Sequence, residues 1–373
     1  MTLACAPGFF RDSGTCHEAA QKLEAGMSHN CILLTGGTIR CWGYNGAGQL
    51  GNGTQSGDGM PLTVPVTGIE NAVALGAGGY YSCALIRGGT IRCWGSNYTG
   101  ALGNGSPMDS PVAVAVMGID NATAIASGYL HACAVLADGT ARCWGSGLSG
   151  ELGQGVMESS PVPVVVSGLS GATAITAGGF HSCALIAGGA IRCWGMNDDG
   201  QLGNTNTGDS AVPVAVSGMT GAVEVVAGYF HTCARLANGT VRCWGFNGYG
   251  QLGNGTETDS LAPVAVSNVQ DAVAIEAGQL HNCARLGDGS LRCWGSDLSG
   301  QIGDPGRPGA PAPVAVSDLG GTTIDVGCGH HQTCAVISTG AVRCWGQDSA
   351  GQLGRGLTSV IGAELPVSVV VNW

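Results

Sequence analysis

The sequence predicts an all-β fold, a seven-bladed β-propeller built from four-stranded antiparallel blades. Three observations carry that expectation. A unit of about fifty residues returns seven times, typified by GYFHTCARLANGTVRCWGFNGYGQLG from Gly228 to Gly253. Each copy is shorter than a domain, which marks a repeat architecture. Each copy also divides into four short apolar runs separated by Gly, Asp-Gly and Pro signals, the pattern of antiparallel strands.

The four runs follow one order. The first is an apolar strand such as Ala272-Val273-Ala274-Ile275, ending at Ala-Gly. The second starts near a cysteine, as in Cys233-Ala234-Arg235-Leu236, and the third holds Arg-Cys-Trp. The fourth alternates after a proline, as in Pro111-Val112-Ala113-Val114-Ala115-Val116. Helical spacing is absent, apart from a few residues around Glu18 to Glu24. Four such strands cannot bury both sheet faces alone; stacked radially they can, and seven units make a seven-bladed ring. The fourth run can pair with its own hairpin or with the following unit. In the second case both termini share a blade.

The hairpin between the second and third runs fixes a register. In the first copy Leu34 and Thr38 flank Thr35-Gly36-Gly37, and stepping back equally on both sides sets Cys31 opposite Cys41. Directly opposed residues approach the separation that a disulfide needs. The same spacing pairs Cys83 with Cys93, Cys133 with Cys143, Cys183 with Cys193, Cys233 with Cys243, Cys283 with Cys293, and Cys334 with Cys344. Each bridge closes a ring of about eleven residues and contributes up to about 3 kcal/mol by chain entropy. The other reading of each pair is two buried thiols packing as small hydrophobes. Regular disulfides imply an oxidising compartment, hence an extracellular or cell-surface location.

Residues 1–17 stand outside the repeat, which occupies 18–373. The stretch CAPGFFRDSGTC resembles the last loop of an epidermal-growth-factor-like module, and proximity pairs Cys5 with Cys16. No signal peptide opens the chain, so it reads as a piece of a longer exported protein. No apolar run is long enough to span a membrane.

Composition excludes other classes. The 67 glycines follow no collagen period, and 44% apolar against 10% charged residues is not a disordered composition. The net charge is −11 and Lys22 is the only lysine. Half of the basic residues are the arginines of Arg-Cys-Trp-Gly, so no patch for nucleic-acid phosphates exists.

The repeat motif, Gly-x-x-His-x-Cys-Ala-Leu followed by Gly-x-x-Arg-Cys-Trp-Gly-x-Asn-x-x-Gly-Gln-Leu-Gly, resembles the regulator-of-chromosome-condensation repeat. The resemblance covers 18–373 and implies a seven-bladed propeller, here a disulfide-rich variant of the secreted bacterial type. It does not imply one activity. Members include a chromatin-bound guanine-nucleotide exchange factor, a plant UV-B photoreceptor and a secreted β-lactamase inhibitory protein.

Sevenfold columns argue for structure rather than chemistry. The column His29, Tyr81, His131, His181, His231, His281, Gln332 reads as skeleton, with ring nitrogens tying strands together. Trp42, Trp94, Trp144, Trp194, Trp244, Trp294 and Trp345 recur equally, as packing residues do. Cys328 falls in a column of small side chains and reads as a buried free thiol, and Cys328-Gly329-His330-His331 is not taken as a metal site. The Asn-x-Ser/Thr sites at Asn52, Asn97, Asn104, Asn121, Asn238 and Asn254 report turns first. No asymmetric catalytic set exists, and no enzyme activity, cofactor or metal is expected.

Function is therefore sought where copies differ. The connection before the His column carries Tyr80, Tyr129, Phe180, Tyr229, Phe230, His330 and His331, and the connection after Trp-Gly adds Tyr44, Tyr98, Phe246 and Tyr249. Antiparallel topology sets both on one face. Aromatic variation on one side of a rigid ring is the mark of an interaction surface. Acids including Asp198, Asp199, Glu257 and Asp259 gather in the same connections, where Arg307 and Arg355 are the only bases. The expected function is extracellular protein binding through an aromatic, acid-rimmed face. A structural subunit that self-associates is the alternative. Nucleotide exchange needs a cytosolic partner, which conflicts with oxidised cysteines.

Overall fold

The computed structural model describes residue 5, 9–12, 15–359 and 361–371. Seven four-stranded antiparallel sheets follow one another along the chain, each in simple meander order. The fifth sheet shows the plan, with strands at Ala222–Ala227, His231–Leu236, Val241–Gly245 and Ser260–Ala265. The first strand of each sheet lines the central channel, and the fourth lies at the rim. The segment around Glu18 to Glu24, where a helical turn was conceivable, becomes the inner strand Ala20–Ala25 of the first blade. Its neighbours across the sheet edge decide this, with Leu23 opposite Ile32.

The hairpin register is the one the turn length dictates. Cysteines face each other in every copy, from Cys31 opposite Cys41 to Cys334 opposite Cys344. All seven pairs are disulfides and are shut away from solvent. Cys5 and Cys16 form an eighth bridge at the edge of a two-stranded hairpin, Phe9–Asp12 with Thr15–Glu18. The rest of the loop that resembles an epidermal-growth-factor module, 6–8 and 13–14, lies outside the described residues. Cys328 is the free cysteine among them, and it is buried. Thiol titration of the denatured, unreduced protein should therefore find one sulfhydryl of the 17 cysteines. Two or more per chain would contradict the oxidised hairpins.

Each blade packs on the next through one repeated interface. Between the fourth and fifth blades, Cys183, Cys193, Leu202 and Val216 meet Ala222, Val225, Ala234 and Trp244. Every Trp of the column is fully buried in such a cluster. Its indole N–H donates to a backbone carbonyl of the preceding blade, as Trp244 Nε1 does to Gln201 at 2.9 Å. The ring closes by the same device, with Trp42 Nε1 donating to Gln352 O at 2.9 Å. The fourth strand pairs with its own hairpin, so the two ends of the ring lie in different blades. The last blade holds the first by side-chain packing of Val336 and Leu353 against Leu23 and Trp42. A polar clasp adds Leu23 N–H to Asp325 Oδ2 at 2.7 Å.

Candidate functional site

The two variable connections are stitched together in every blade. The residue after Trp-Gly donates its N–H to the carbonyl just before the His column, as Phe246 does to Phe230 at 2.9 Å. Both loops thus share one face, as strand alternation requires. In six of the seven blades the loop after Trp-Gly is held from inside by a buried Asn or Asp; in the third, Gly147 takes that place and buried Glu151 accepts from Ser149 N–H. Asn247 Oδ1 accepts from Leu252 N–H at 2.8 Å, and its amide donates to the Thr256 and Thr258 carbonyls. Asp297 and Asp348 take the same place, accepting from Ile302 and Leu353 N–H.

The aromatic residues converge on this face. Tyr229 is the hub, with ring centroids 5.0 Å from Tyr129, 5.3 Å from Phe180, 4.8 Å from Phe230 and 6.2 Å from His330. The arrangement depends on an absent side chain between Tyr129 and Tyr229, since a Cβ on Gly179 would sit 2.9 Å from the Tyr229 ring. Phe230 continues through Phe246 to Tyr249, each step 6.3 Å. Tyr44 and Tyr80 form a separate edge-to-face pair at 5.9 Å. His330 and His331 stack edge to face at 4.1 Å, and burial pulls the imidazole of His330 down to about 4. Most of these rings are half-buried, while Tyr98 and Tyr249 are exposed. Burial raises the Tyr229 phenol above its ordinary range, helped by neighbouring Tyr129, Tyr98 and Tyr80.

Acids on the rim divide into two kinds. Asp109, Asp209 and Asp259 each accept from a backbone N–H in their own loop, that of Asn97, Asn197 and Asn247, at 2.7, 2.8 and 2.6 Å. Asp348 is paired with Arg355. Asp198 and Glu257 are exposed. Asp199 is pushed up by burial and by the nearby carboxylates of Asp259 and Asp198. The acidic rim is thus partly loop architecture.

The histidine column is an inter-blade relay. His181 Nε2 lies 2.8 Å from Thr232 Oγ1 in the next blade, and that hydroxyl donates to Gln201 O at 2.9 Å. The hydroxyl proton is spent on the carbonyl, so the imidazole must carry its proton on Nε2. The fifth copy says the same without a hydroxyl, since Asn282 Oδ1 can only accept from His231 at 2.9 Å while its amide donates to Gln251 O. Burial lowers His29, His131 and His231 to about 4, and His181 and His281 to about 3. In the two odd copies the same job passes to Tyr81, which donates to His131 O, and to Gln332, which donates to Gly26 O at 3.0 Å. Among the described residues no cluster of three or more His, Cys, Asp or Glu is arranged to hold a metal. No helix among them is long and apolar enough to cross a membrane. The glycosylation-like sites are turn residues here: Asn104, Asn238 and Asn254 each accept from the N–H two residues on, at 3.1 Å.

One feature was not read from the sequence. The centre of the aromatic face opens on the propeller axis, with a mouth of ≈ 100 Å³ edged by Met27, Tyr129, Tyr229, Gln279 and His330. Beneath it lies a chamber of ≈ 250 Å³ whose wall carries Glu24, Glu224 and Glu276. The signal was present in the first strands. Glu24 and Glu276 share a column with Gly76, Ala126, Thr176, Val226 and Gly327, and so break the repeat. Burial pushes Glu24 up to about 8 and raises Glu276 as well, each reinforced by nearby carboxylates.

Models of the regulator of chromosome condensation (RCC1) repeat match residues 89–135, 138–185, 189–235 and 238–285, and a second form matches 21–49, 122–151, 172–201, 222–251 and 272–301. A protein RCC2 homolog of Danio rerio is 35% identical over 83 residues, 22% of this chain and 17% of that protein. An RCC1 domain-containing protein 1 of Mus musculus is 36% identical over 83 residues, 22% of each. The matched stretch thus spans about a fifth of these relatives. Prp20p of Saccharomyces cerevisiae superposes with a TM-score of 0.79 at 20% identity, over 94% of this chain and 87% of that one. Human WBSCR16 does so at 0.78 and 17%, over 88% and 92%. The repeat matches and the blade geometry agree: the chain belongs to the regulator of chromosome condensation repeat family.

Proposed function

We propose that this protein is an extracellular, non-enzymatic binding module that engages another protein through the aromatic, acid-rimmed face of its ring. The observation that carries the reading is the Tyr129–Phe180–Tyr229–Phe230 cluster, four rings from three adjacent blades in mutual contact on one surface. Rings already packed against each other lose little freedom on binding, and they offer large area per side chain. The stapled hairpins hold them on a rigid frame and favour an oxidising location. The solved Prp20p is described as binding Gsp1p and histones, so a propeller of this kind serves protein recognition in at least one relative. The five imidazoles of the histidine column are engaged in inter-blade contacts, which supports a binding rather than a catalytic reading.

The test is partner capture from the native extracellular fluid by wild type and by a Tyr129→Ala/Tyr229→Ala/Phe230→Ala variant. The variant should stay folded, since none of the three rings belongs to an inter-blade core cluster, and should lose capture by a factor of a hundred or more, about 3 kcal/mol. Undiminished capture would sink the reading. Sedimentation of the wild type at micromolar concentration addresses self-association, which requires a mass above that of one chain.

A further inference from the structure

The mouth and chamber on the axis extend the proposed function to the partner's chemistry, and the inference rests on that reading. We propose that the axial opening of the aromatic face receives one cationic side chain, a lysine or arginine on a projecting loop of the partner protein, and seats its charge between Glu24 and Glu276. Two independent features of the structure meet there. At the mouth, the packed rings of Tyr129 and Tyr229 line the opening, and Gln279 Oε1 is a buried acceptor with no partner among the described residues. Such groups attract a desolvating cation. Below, a collar of small side chains running from Ala25 round to Cys328 bounds both cavities, so one leads into the other.

The chamber wall is charged on one side only. Of its acids, Glu224 is tied to Arg235 at 2.7 Å, and nearby Asp325 to Lys22 at 3.1 Å and to Leu23 N–H. Glu24 and Glu276 make neither a hydrogen bond nor an ion pair with any described residue. The same layer in the second to fourth blades is Gly76, Ala126 and Thr176, which leaves room and adds no charge. Three residues of chain separate Glu276 from Gln279, at most about 11 Å, a depth that a lysine or arginine side chain and a carboxylate side chain cover between them. A chamber of ≈ 250 Å³ holds the charged group together with several waters. In the free protein burial and the charge of nearby carboxylates raise the carboxyls of Glu24 and Glu276, which favours their protonated forms. Lys22, Arg235 and Arg285 face the cluster from the inner and second strands, and the buried Cys328 thiol is un-ionised. An entering cation stabilises one carboxylate and displaces its proton to solvent.

The experiment titrates the whole protein with a blocked Gly-Lys-Gly peptide and with its norleucine counterpart, followed by calorimetry at pH 7 in two buffers of different ionisation enthalpy. The lysine peptide should saturate in the low-millimolar range or tighter, with the norleucine peptide at least tenfold weaker, and binding should release up to one proton. A Glu24→Gln/Glu276→Gln variant, with an unchanged near-UV spectrum, should weaken the lysine peptide at least tenfold and abolish proton release. Equal binding of the two peptides, no saturation by wild type, or an unaffected variant would each overturn the proposal. Where the peptides fail but the Tyr129/Tyr229/Phe230 variant still loses its partner, the face stands and the axial seat falls. Where the lysine peptide binds through the glutamates but capture ignores the aromatic substitutions, the face reading falls instead.

Discussion

A Trp244→Ala variant is expected to lose about 3–5 kcal/mol of stability, read as a lower denaturant midpoint. The indole is fully buried between the fourth and fifth blades, against Leu202, Val216 and the Cys183–Cys193 bridge. The wall around it cannot collapse to fill the space. A disulfide-stapled hairpin forms one side, and on the other Gly203 sits at φ +65° with room for no Cβ, which would lie 2.7 Å from Trp244 Nε1. A cavity therefore remains and its cost is added to lost burial. The polar part separates cleanly. Gln201 O accepts from both Trp244 Nε1 and Thr232 Oγ1, each at 2.9 Å. Trp244→Phe removes one donor and should cost about 1 kcal/mol beyond the change in packing. Adding Thr232→Val strips the carbonyl of its second donor and leaves His181 Nε2 without an acceptor. The double variant should therefore cost more than the sum of the two singles, by about 1–3 kcal/mol. An alanine variant within about 1 kcal/mol of wild type would mean that the blades are held by something other than the indole column.

Contacts such as Trp244 with Gln201 join separate blades, whereas other features are local enough to be legible in the linear sequence. Turn length and strand period are local, so the register that opposes Cys31 to Cys41 follows from Thr35-Gly36-Gly37 alone, and seven copies of it imply a ring. The side of the ring that bears Tyr129, Tyr229 and Phe230 follows from strand alternation. Whether the fourth strand stays with its own hairpin did not follow, because Val367 can pair equally well in either sheet by pattern; closure rests on long-range contacts such as Leu23 with Asp325. The relay from His181 through Thr232 to Gln201 was equally hidden, since its three members sit in two blades and only the radial stack brings them together. The axial chamber was hidden for the same reason. Glu24 and Glu276 are far apart in the chain and look like ordinary exposed strand acids until the ring is closed. Acids that looked free in the loops turned out to be partly spent, as Asp259 is on Asn247 N–H.

Stability against pH should form a dome with its top between about pH 4.5 and 6.5, because two buried sets of groups titrate in opposite directions. The imidazoles of His29, His131, His181, His231 and His281 are lowered from 6.5 to about 3 or 4 by burial. The unfolded chain takes protons on them below pH about 6.5 while the folded chain refuses, so their contribution is intact above that value and is lost as pH falls toward 4. At about 1.4 kcal/mol per unit, each fully buried imidazole is worth roughly 3 to 5 kcal/mol at the limit, and two or three suffice to unfold a protein of ordinary stability. Glu24, raised to about 8, Glu276 and Asp297, raised to about 7, run the other way. The folded chain keeps their protons longer, so their contribution is present below about pH 4.5 and is lost as pH rises through 7 to 8. Glu224, Asp325 and Asp348 are raised as well and act in the same sense. Between the two windows the sets oppose each other; below it only the imidazoles act, and above it only the carboxyls. The limbs are separable because the chain supplies its own neutral substitute, Gln332, which fills the histidine place by donating to Gly26 O. In a His181→Gln/His281→Gln variant the acid limb of the denaturation-midpoint profile should shallow by about two fifths, while Glu24→Gln/Glu276→Gln should make the alkaline limb shallower and leave the acid limb alone. A steep acid limb that survives the histidine substitutions would place the acid sensitivity outside the inter-blade relay, and a profile that climbs steadily to pH 8 would mean that the channel glutamates are ionised without penalty in the free ring.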